Sequence, residues 1–194
     1  MTCGTRGGFT LAALWHMLGR LRTGPRCKAG YSNPGSNTLN LAFLRVASLL
    51  LAALAMGMHL AHALELLPKL KWGPELYLAV QSTLYRLFGI IGPILEVGAL
   101  VLVSLLAVKL GRGHPARKLT LGSAAAIALS LFVWAAVVLP ANGQLANWQA
   151  SGVTPPDWTR WRDQWQFGQA FIFLLHLGGF TALASAMLKP DRDV

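Results

Sequence analysis

The chain has little charge for its length. Only 12% of its 194 residues are charged, whereas soluble domains average about 25%. This shortage excludes an ordinary cytosolic enzyme, a disordered tail and a coiled coil. Acidic residues are the scarcest, with 7 Asp and Glu against 17 Lys and Arg. Because the basic residues flank apolar runs instead of forming one face, the net charge of +10 does not indicate a nucleic-acid partner.

Cysteine is scarce as well. Cys3 and Cys27 are too few for a disulfide scaffold and lack the spacing of a metal-binding motif. We expect both thiols to be reduced and without a structural role. Apolar residues, in contrast, make up 54% of the chain. The composition therefore favours a protein that lies in a lipid bilayer.

Four apolar stretches are long enough to cross a bilayer, which takes about 20 helical residues. They are Val46–Leu64, Leu87–Val108, Leu119–Leu139 and Gln164–Leu188, and Glu96 is the one Asp, Glu, Lys or Arg within them. A segment in lipid must satisfy its own backbone hydrogen bonds, so each stretch is expected to be a helix. The sequence predicts an all-α, integral membrane four-helix bundle with short interfacial helices, one of them between Pro74 and Arg86. A second outer loop is expected to begin at Pro140.

The first 40 residues differ from the rest. They are basic, and residues 29–40 are rich in Gly, Ser, Asn and Pro, which is typical of a linker. We expect residues 1–40 to be a poorly ordered cytoplasmic extension with a short surface helix near residues 9–22, and residues 41–190 to be the bundle. Of the 17 Lys and Arg, 12 lie on the side of the two termini. This bias places both termini in the cytoplasm, in what we expect to be a bacterial inner membrane.

Polar side chains gather in the outer half of the predicted spans. Ionisable groups in a membrane are costly and usually face the bundle interior. His59, His62 and Glu65 follow one another at three-residue spacing, so they share one side of the first helix. We expect Glu96 to pair with His62 and Glu65. The complete set, which predicts an outward-facing polar pocket, is His59, His62, Glu65, Glu96, Asn142, Gln169 and His176.

These residue types are also those of metal and haem sites. His59, His62, Glu65, Glu96 and His176 are candidate ligands for zinc, copper or iron, although their spacing is not diagnostic. Alternatively, His176 together with His59 or His62 are candidate axial ligands of a b-type haem. Because the candidate ligands lie on separate helices, the sequence alone does not decide between a metal ion and a haem.

Several motifs, some of which include residues of the polar set, resemble those of a known family. They are the run from His62 to Leu70, the segment Tyr77–Gln81, the Pro140-Ala141-Asn142 motif with Leu145 and Trp148, and the segment with Trp161, Arg162 and Trp165. Over residues 42–188, this pattern is similar to that of the domain-of-unknown-function 1772 family, which includes the anthrone-oxygenase-like proteins. The resemblance implies four membrane helices and oxidation of polyketide anthrones by molecular oxygen without a cofactor. Gln169 stands where members carry a histidine.

The resemblance suggests roles for the pocket residues. An anthrone has an acidic C–H beside a carbonyl, and neutral His62, oriented by Glu65, is the candidate base. Asn142 or Gln169 is expected to donate to the enolate oxygen, and Glu96 to interact with the base. A flat substrate is expected to stack on Trp148 and Trp165, within a pocket completed by His59, Tyr77, Gln81 and His176.

The leading prediction is therefore a cofactor-independent oxidoreductase that acts on a small, aromatic, polyketide-like ligand. Two alternatives stay open. One is a non-enzymatic accessory or assembly protein, present as a homo-oligomer or in a membrane complex, whose polar residues are structural. The other is an electron carrier that binds haem or a metal.

Overall fold

The computed structural model describes residues 34–190, and this part of the chain is helical with no strand. Its helices are α1 (Pro34–Leu64), α2 (Leu66–Lys69), α3 (Pro74–Thr83), α4 (Arg86–Lys109), α5 (Arg117–Val133), α6 (Leu139–Ser151) and α7 (Trp158–Met187). Four segments are long and apolar enough to cross a membrane: Asn40–Leu64, Arg86–Lys109, Arg117–Ser151 and Trp158–Met187. The predicted all-α bundle is confirmed, and its architecture is that of an integral membrane protein.

The predicted start of the second outer loop at Pro140 is wrong. The third membrane-spanning helix begins as α5 and continues through a π-helical segment, Trp134–Val138, into α6. A proline inside a helix lacks an N–H and crowds the carbonyl four residues earlier. The wider π-helical turns just before Pro140, which is the second residue of α6, let the helix continue. Gly152, at φ 70°, ends α6 in the left-handed conformation that glycine adopts easily.

Two further boundaries differ from the predictions. α1 begins at Pro34, so residues 34–40 belong to a helix instead of the expected extension. The rest of that extension, with its predicted surface helix and both cysteines, lies outside the described residues. The predicted interfacial helix is α3, which begins at Pro74 as expected and ends at Thr83, three residues early.

The interior has two apolar clusters. One contains Ala52, Ala99, Val103, Leu106, Ala124, Ile127 and Leu183. The other contains Tyr77, Val138, Ala141, Leu145, Trp158, Trp165 and Ile172. On α7, His176 lies between Ile172 of the second cluster and Leu183 of the first, and on α4 Glu96 lies three residues before Ala99 of the first cluster. A buried polar layer therefore separates the two clusters.

Small residues allow α7 to approach its neighbours closely. A Cβ on Gly179 would lie 3.1 Å from the Cβ of Ala126 and 3.5 Å from the carbonyl oxygen of Ser123, both on α5. A Cβ on Gly168 would lie 3.0 Å from a methyl of Val138 in the π-helical segment. Close packing of small residues is a common means of association between helices in lipid. These contacts fix α7, which carries Trp165, Gln169 and His176, against α5 and the π-helical segment.

Candidate functional site

The polar layer contains one ionisable residue from each of three helices. His59 of α1, Glu96 of α4 and His176 of α7 are all buried. His59 Nε2 contacts Glu96 Oε1, and His176 Nε2 lies 3.9 Å from the same oxygen. The two imidazole rings stack with centroids 4.9 Å apart. Residues separated by up to 117 positions in the sequence therefore meet at one carboxylate.

Amide and hydroxyl groups orient the two histidines. His59 Nδ1 donates to Oε1 of Gln169 over 2.8 Å. Ser130 donates its hydroxyl hydrogen to the carbonyl of Ile127, so its oxygen accepts from His176 Nε2 over 3.1 Å. Hydrogen bonds of this kind fix the tautomer and the ring orientation of a histidine. Both rings are thus held in place by helices other than their own.

The predicted partner of Glu96 is wrong. The carboxylate bonds His59, whereas His62 lies three residues further along α1. Three residues advance a helix by about 4.5 Å and turn it by about 60°, which separates the two rings by 6.5 Å. The sequence correctly indicated a histidine of α1 as the partner, but a helical stripe could not select which one.

His62 lies among aromatic rings. The centroid of its ring is 4.7 Å from that of Tyr85, 5.2 Å from Phe88 and 5.0 Å from Trp165. Its Nδ1 is buried and has no hydrogen-bond partner among the described residues. Glu65, predicted to orient it, approaches only to 4.0 Å. Packing against aromatic rings, and not a carboxylate, therefore orients this imidazole.

Glu65 instead belongs to an ion pair just beyond the C-terminal end of α1. Its carboxylate lies 2.7 Å from the ammonium of Lys69 and accepts from the hydroxyl of Tyr85. Burial favours the neutral acid, but the hydrogen bonds from Lys69 and Tyr85 outweigh it and hold the pKa of Glu65 below its ordinary value. Burial also lowers the pKa of Lys69, which is only 1% exposed and lies over the ring of Tyr85. This arrangement stabilises the α1–α2 corner.

A cavity of about 520 Å³ lies beside the polar layer. Seven of the predicted site residues line it: His59, His62, Gln81, Glu96, Asn142, Trp165 and Gln169. Its apolar wall includes Met58 and Phe88, together with Trp134 of the π-helical segment. The sequence-based prediction of a polar pocket within the bundle thus corresponds to a cavity of ligand size.

The other predicted contacts lie elsewhere among the described residues. Tyr77 is fully buried and accepts hydrogen bonds from the amides of Gln81 and Gln166. Burial raises the pKa of Tyr77 to about 12, so its hydroxyl stays neutral. Trp148 packs against the same apolar cluster as Tyr77. These two aromatic residues are not part of the cavity lining.

Sequence reasoning missed several members of the site. Tyr85 and Phe88 enclose His62, and Ser130 orients His176. The i, i+4 spacing of Glu65 and Lys69 is the one local signal of their ion pair. Ser130 lies in an apolar stretch rich in small residues, where one hydroxyl gives no sign of its partner.

The candidate ligands of a metal reduce to three. Donor atoms of His59, Glu96 and His176 all lie within 4.8 Å of one another, whereas His62 and Glu65 are outside this group. The predicted haem does not fit His59 and His176, because axial histidines face each other across the porphyrin plane. Here the two rings are stacked at an interplanar angle of 19°. The geometry therefore suits an ion and not a macrocycle between these two rings.

Comparison with known proteins adds no further indication of function. No protein-family model matches the chain, and no curated protein or solved structure is similar to it. The resemblance to the anthrone-oxygenase-like proteins thus stays a prediction, and the geometry of the cavity is the basis for the proposal that follows.

Proposed function

We propose that this membrane protein is an oxidoreductase of the anthrone-oxygenase-like type, which binds a flat, mostly apolar ketone within the bundle. The observation that carries the proposal is the cavity itself. It combines an aromatic wall, a buried imidazole whose Nδ1 has no hydrogen-bond partner among the described residues, and three side-chain amides. An apolar pocket with a few convergent polar groups is the usual form of a small-molecule site.

The size and lining of the cavity favour an aromatic ligand. Its volume of about 520 Å³ lies within the range of drug-sized sites. Trp165 and Phe88 offer ring surfaces on which a polycycle can pack. A ligand of this kind dissolves in the bilayer, so a cavity between membrane-spanning helices is a suitable place to bind it.

His62 is the proposed base. It lines the cavity, and its ring is held by Tyr85, Phe88 and Trp165. Removal of a proton from the ring CH₂ of an anthrone leaves an enolate whose oxygen needs a hydrogen-bond donor. Asn142 accepts from Trp165 Nε1 over 2.7 Å through Oδ1. Because Oδ1 is engaged in this way, the NH₂ group of Asn142 is the proposed donor to the enolate oxygen.

The overall reaction balances with dioxygen as the oxidant. The ring CH₂ loses two hydrogens and gains one oxygen atom to become a carbonyl. The second oxygen atom leaves as water together with those two hydrogens. The enolate supplies the electrons to dioxygen, so the protein needs to bind the ketone, remove one proton and stabilise the resulting negative charge.

The test uses the full chain purified in detergent, with anthrone and a hydroxylated anthrone as probes. We expect quinone formation, followed by absorbance, and matching oxygen uptake above the protein-free rate. His62→Phe keeps a flat ring among the three aromatic neighbours but removes the base, and it should lower the rate by about 10²- to 10⁴-fold. His114→Phe, on the α4–α5 connection outside the cavity, is the matched control.

Two results would overturn the proposal. One is a folded wild-type protein that neither binds nor oxidises either probe. The other is a His62→Phe rate equal to that of His114→Phe. The non-enzymatic accessory protein would then be the better interpretation of the polar layer.

A further inference from the structure

We propose that His59, Glu96 and His176 form a binding site for a divalent first-row transition metal ion. The site lies in the polar layer, one helical turn from His62, and it does not depend on the oxidase activity proposed above. Three arguments support it: the directions of the hydrogen bonds, an unpartnered carboxylate oxygen, and the combination of donor types.

The first argument is the orientation of His59. Its Nδ1 donates to Gln169 Oε1, so the neutral ring presents the lone pair of Nε2 to Glu96 Oε1. Two acceptors that face each other in a buried place need a positive charge between them, either a proton or a cation. A metal-bound histidine commonly donates its other N–H to an oxygen in this way. Gln169 therefore occupies the position of an outer-shell partner.

The second argument is the state of Glu96. Its side chain is buried, with the residue 4% exposed, yet Oε2 has no hydrogen-bond partner among the described residues. A buried carboxylate oxygen without a partner is costly, more so where the surroundings are apolar. A cation held by Oε1, Oε2 or both would remove that cost.

The third argument is the set of donors. Two imidazoles and one carboxylate suit zinc, iron, copper or nickel, whereas magnesium prefers oxygen ligands. The donor atoms of the three residues lie within 4.8 Å of one another, close enough to share one ion after small side-chain rotations. For His176 to bind through Nε2, the ion would have to displace the proton that Nε2 donates to Ser130. Two-histidine, one-carboxylate sites leave coordination positions open. His59 and Glu96 both line the cavity, so an open position would face any ligand bound there.

The experiment uses the full chain in detergent, stripped with a chelator and then titrated with Zn²⁺ or, without oxygen, with Fe²⁺. We expect one ion per chain by elemental analysis, a rise in Tm on binding and no response to Mg²⁺. The EPR spectrum with Cu²⁺ as probe should show coupling to two nitrogens. Gln169→Leu should weaken binding by about 10- to 100-fold, the usual effect of losing an outer-shell partner.

Variants separate this site from the proposed base. Glu96→Gln and His176→Phe should abolish stoichiometric binding, and His114→Phe should leave it unchanged. His62→Phe should retain the metal even where oxidation of anthrone is lost, so that failure of the activity and failure of the metal site are distinguishable. If the ligand variants do not fold, the Cu²⁺ spectrum of the wild type decides. Substoichiometric binding, a spectrum without nitrogen coupling, or equal affinity in Glu96→Gln would overturn the proposal.

Discussion

Glu96 on α4 hydrogen-bonds to His59 on α1, whereas His62, one helical turn along, packs among aromatic rings. The two histidines of α1 therefore have different environments, although the sequence places them on the same face. His59 contacts the carboxylate of Glu96 inside the bundle. His62 is oriented by packing against aromatic rings. This difference makes separate roles for the two residues testable.

A double-mutant cycle should show that Glu96 is coupled to His59. Glu96→Leu and His59→Leu remove the two sides of one contact, so their effects on unfolding should differ from additivity by about 0.5–3 kcal/mol. The same cycle with Glu96→Leu and His62→Leu should give a smaller coupling. The measurement is chemical unfolding in detergent with a chelator present. Equal coupling to both histidines would contradict the observed pairing.

A methyl group at Gly179 should destabilise the bundle. The added Cβ would lie 3.1 Å from that of Ala126, and overpacking of this kind costs about 1–3 kcal/mol. Its neighbour Gly178 is a matched control, because a Cβ there meets nothing within 4 Å. Gly178→Ala should be neutral or slightly stabilising, since alanine favours a helix. Thermal unfolding of both variants measures the contrast, and equal Tm values would contradict the close packing of α5 on α7.

The ion pair of Glu65 should make stability depend on acid pH. The pKa of Glu65 is lower in the folded protein than its ordinary value of 4.5. Its contribution is therefore present above that value and is lost as the pH falls through the lower, folded pKa. Glu65→Gln should flatten the decline of Tm between about pH 5 and pH 3, where a paired carboxylate is titrated. The exposed Glu75→Gln is the control, and a decline as steep in Glu65→Gln as in Glu75→Gln would contradict the prediction.

The bundle could be predicted from the sequence because a lipid environment leaves few options for an apolar stretch. Length and hydropathy alone locate helices such as α4, whose predicted bounds differ by one residue at each end. Pro140 was misread because proline usually marks a helix end, and the π-helical turns that accommodate it have no signature in the chain.

Partner choice within the site was less predictable. The three-residue spacing of His59, His62 and Glu65 places them on one face of α1. That inference needs only the geometry of a single helix. Which of them meets Glu96 depends on the relative height of α1 and α4, and that is set by packing such as Leu51 against Gly98. Likewise, nothing in the sequence around Lys69 indicates burial, yet its side chain is buried because Glu65 and Tyr85 satisfy its ammonium.

The orientation of the bundle gives the last prediction. The third spanning segment has 35 residues, about 52 Å of helix at 1.5 Å per residue, whereas the hydrocarbon core is about 30 Å thick. We therefore expect its two ends to emerge on opposite sides of the membrane. The basic α4–α5 connection around Gly113 is expected in the cytoplasm, and Gly152 outside.

Reporter fusions test this orientation. The fusions at Gly113 and at the carboxyl terminus should report a cytoplasmic location, and the fusion at Gly152 an external one. If the fusion at Gly152 is cytoplasmic and the fusion at Gly113 is external, the orientation of the bundle is the reverse of the predicted one. If both read the same, the third helix does not cross the membrane.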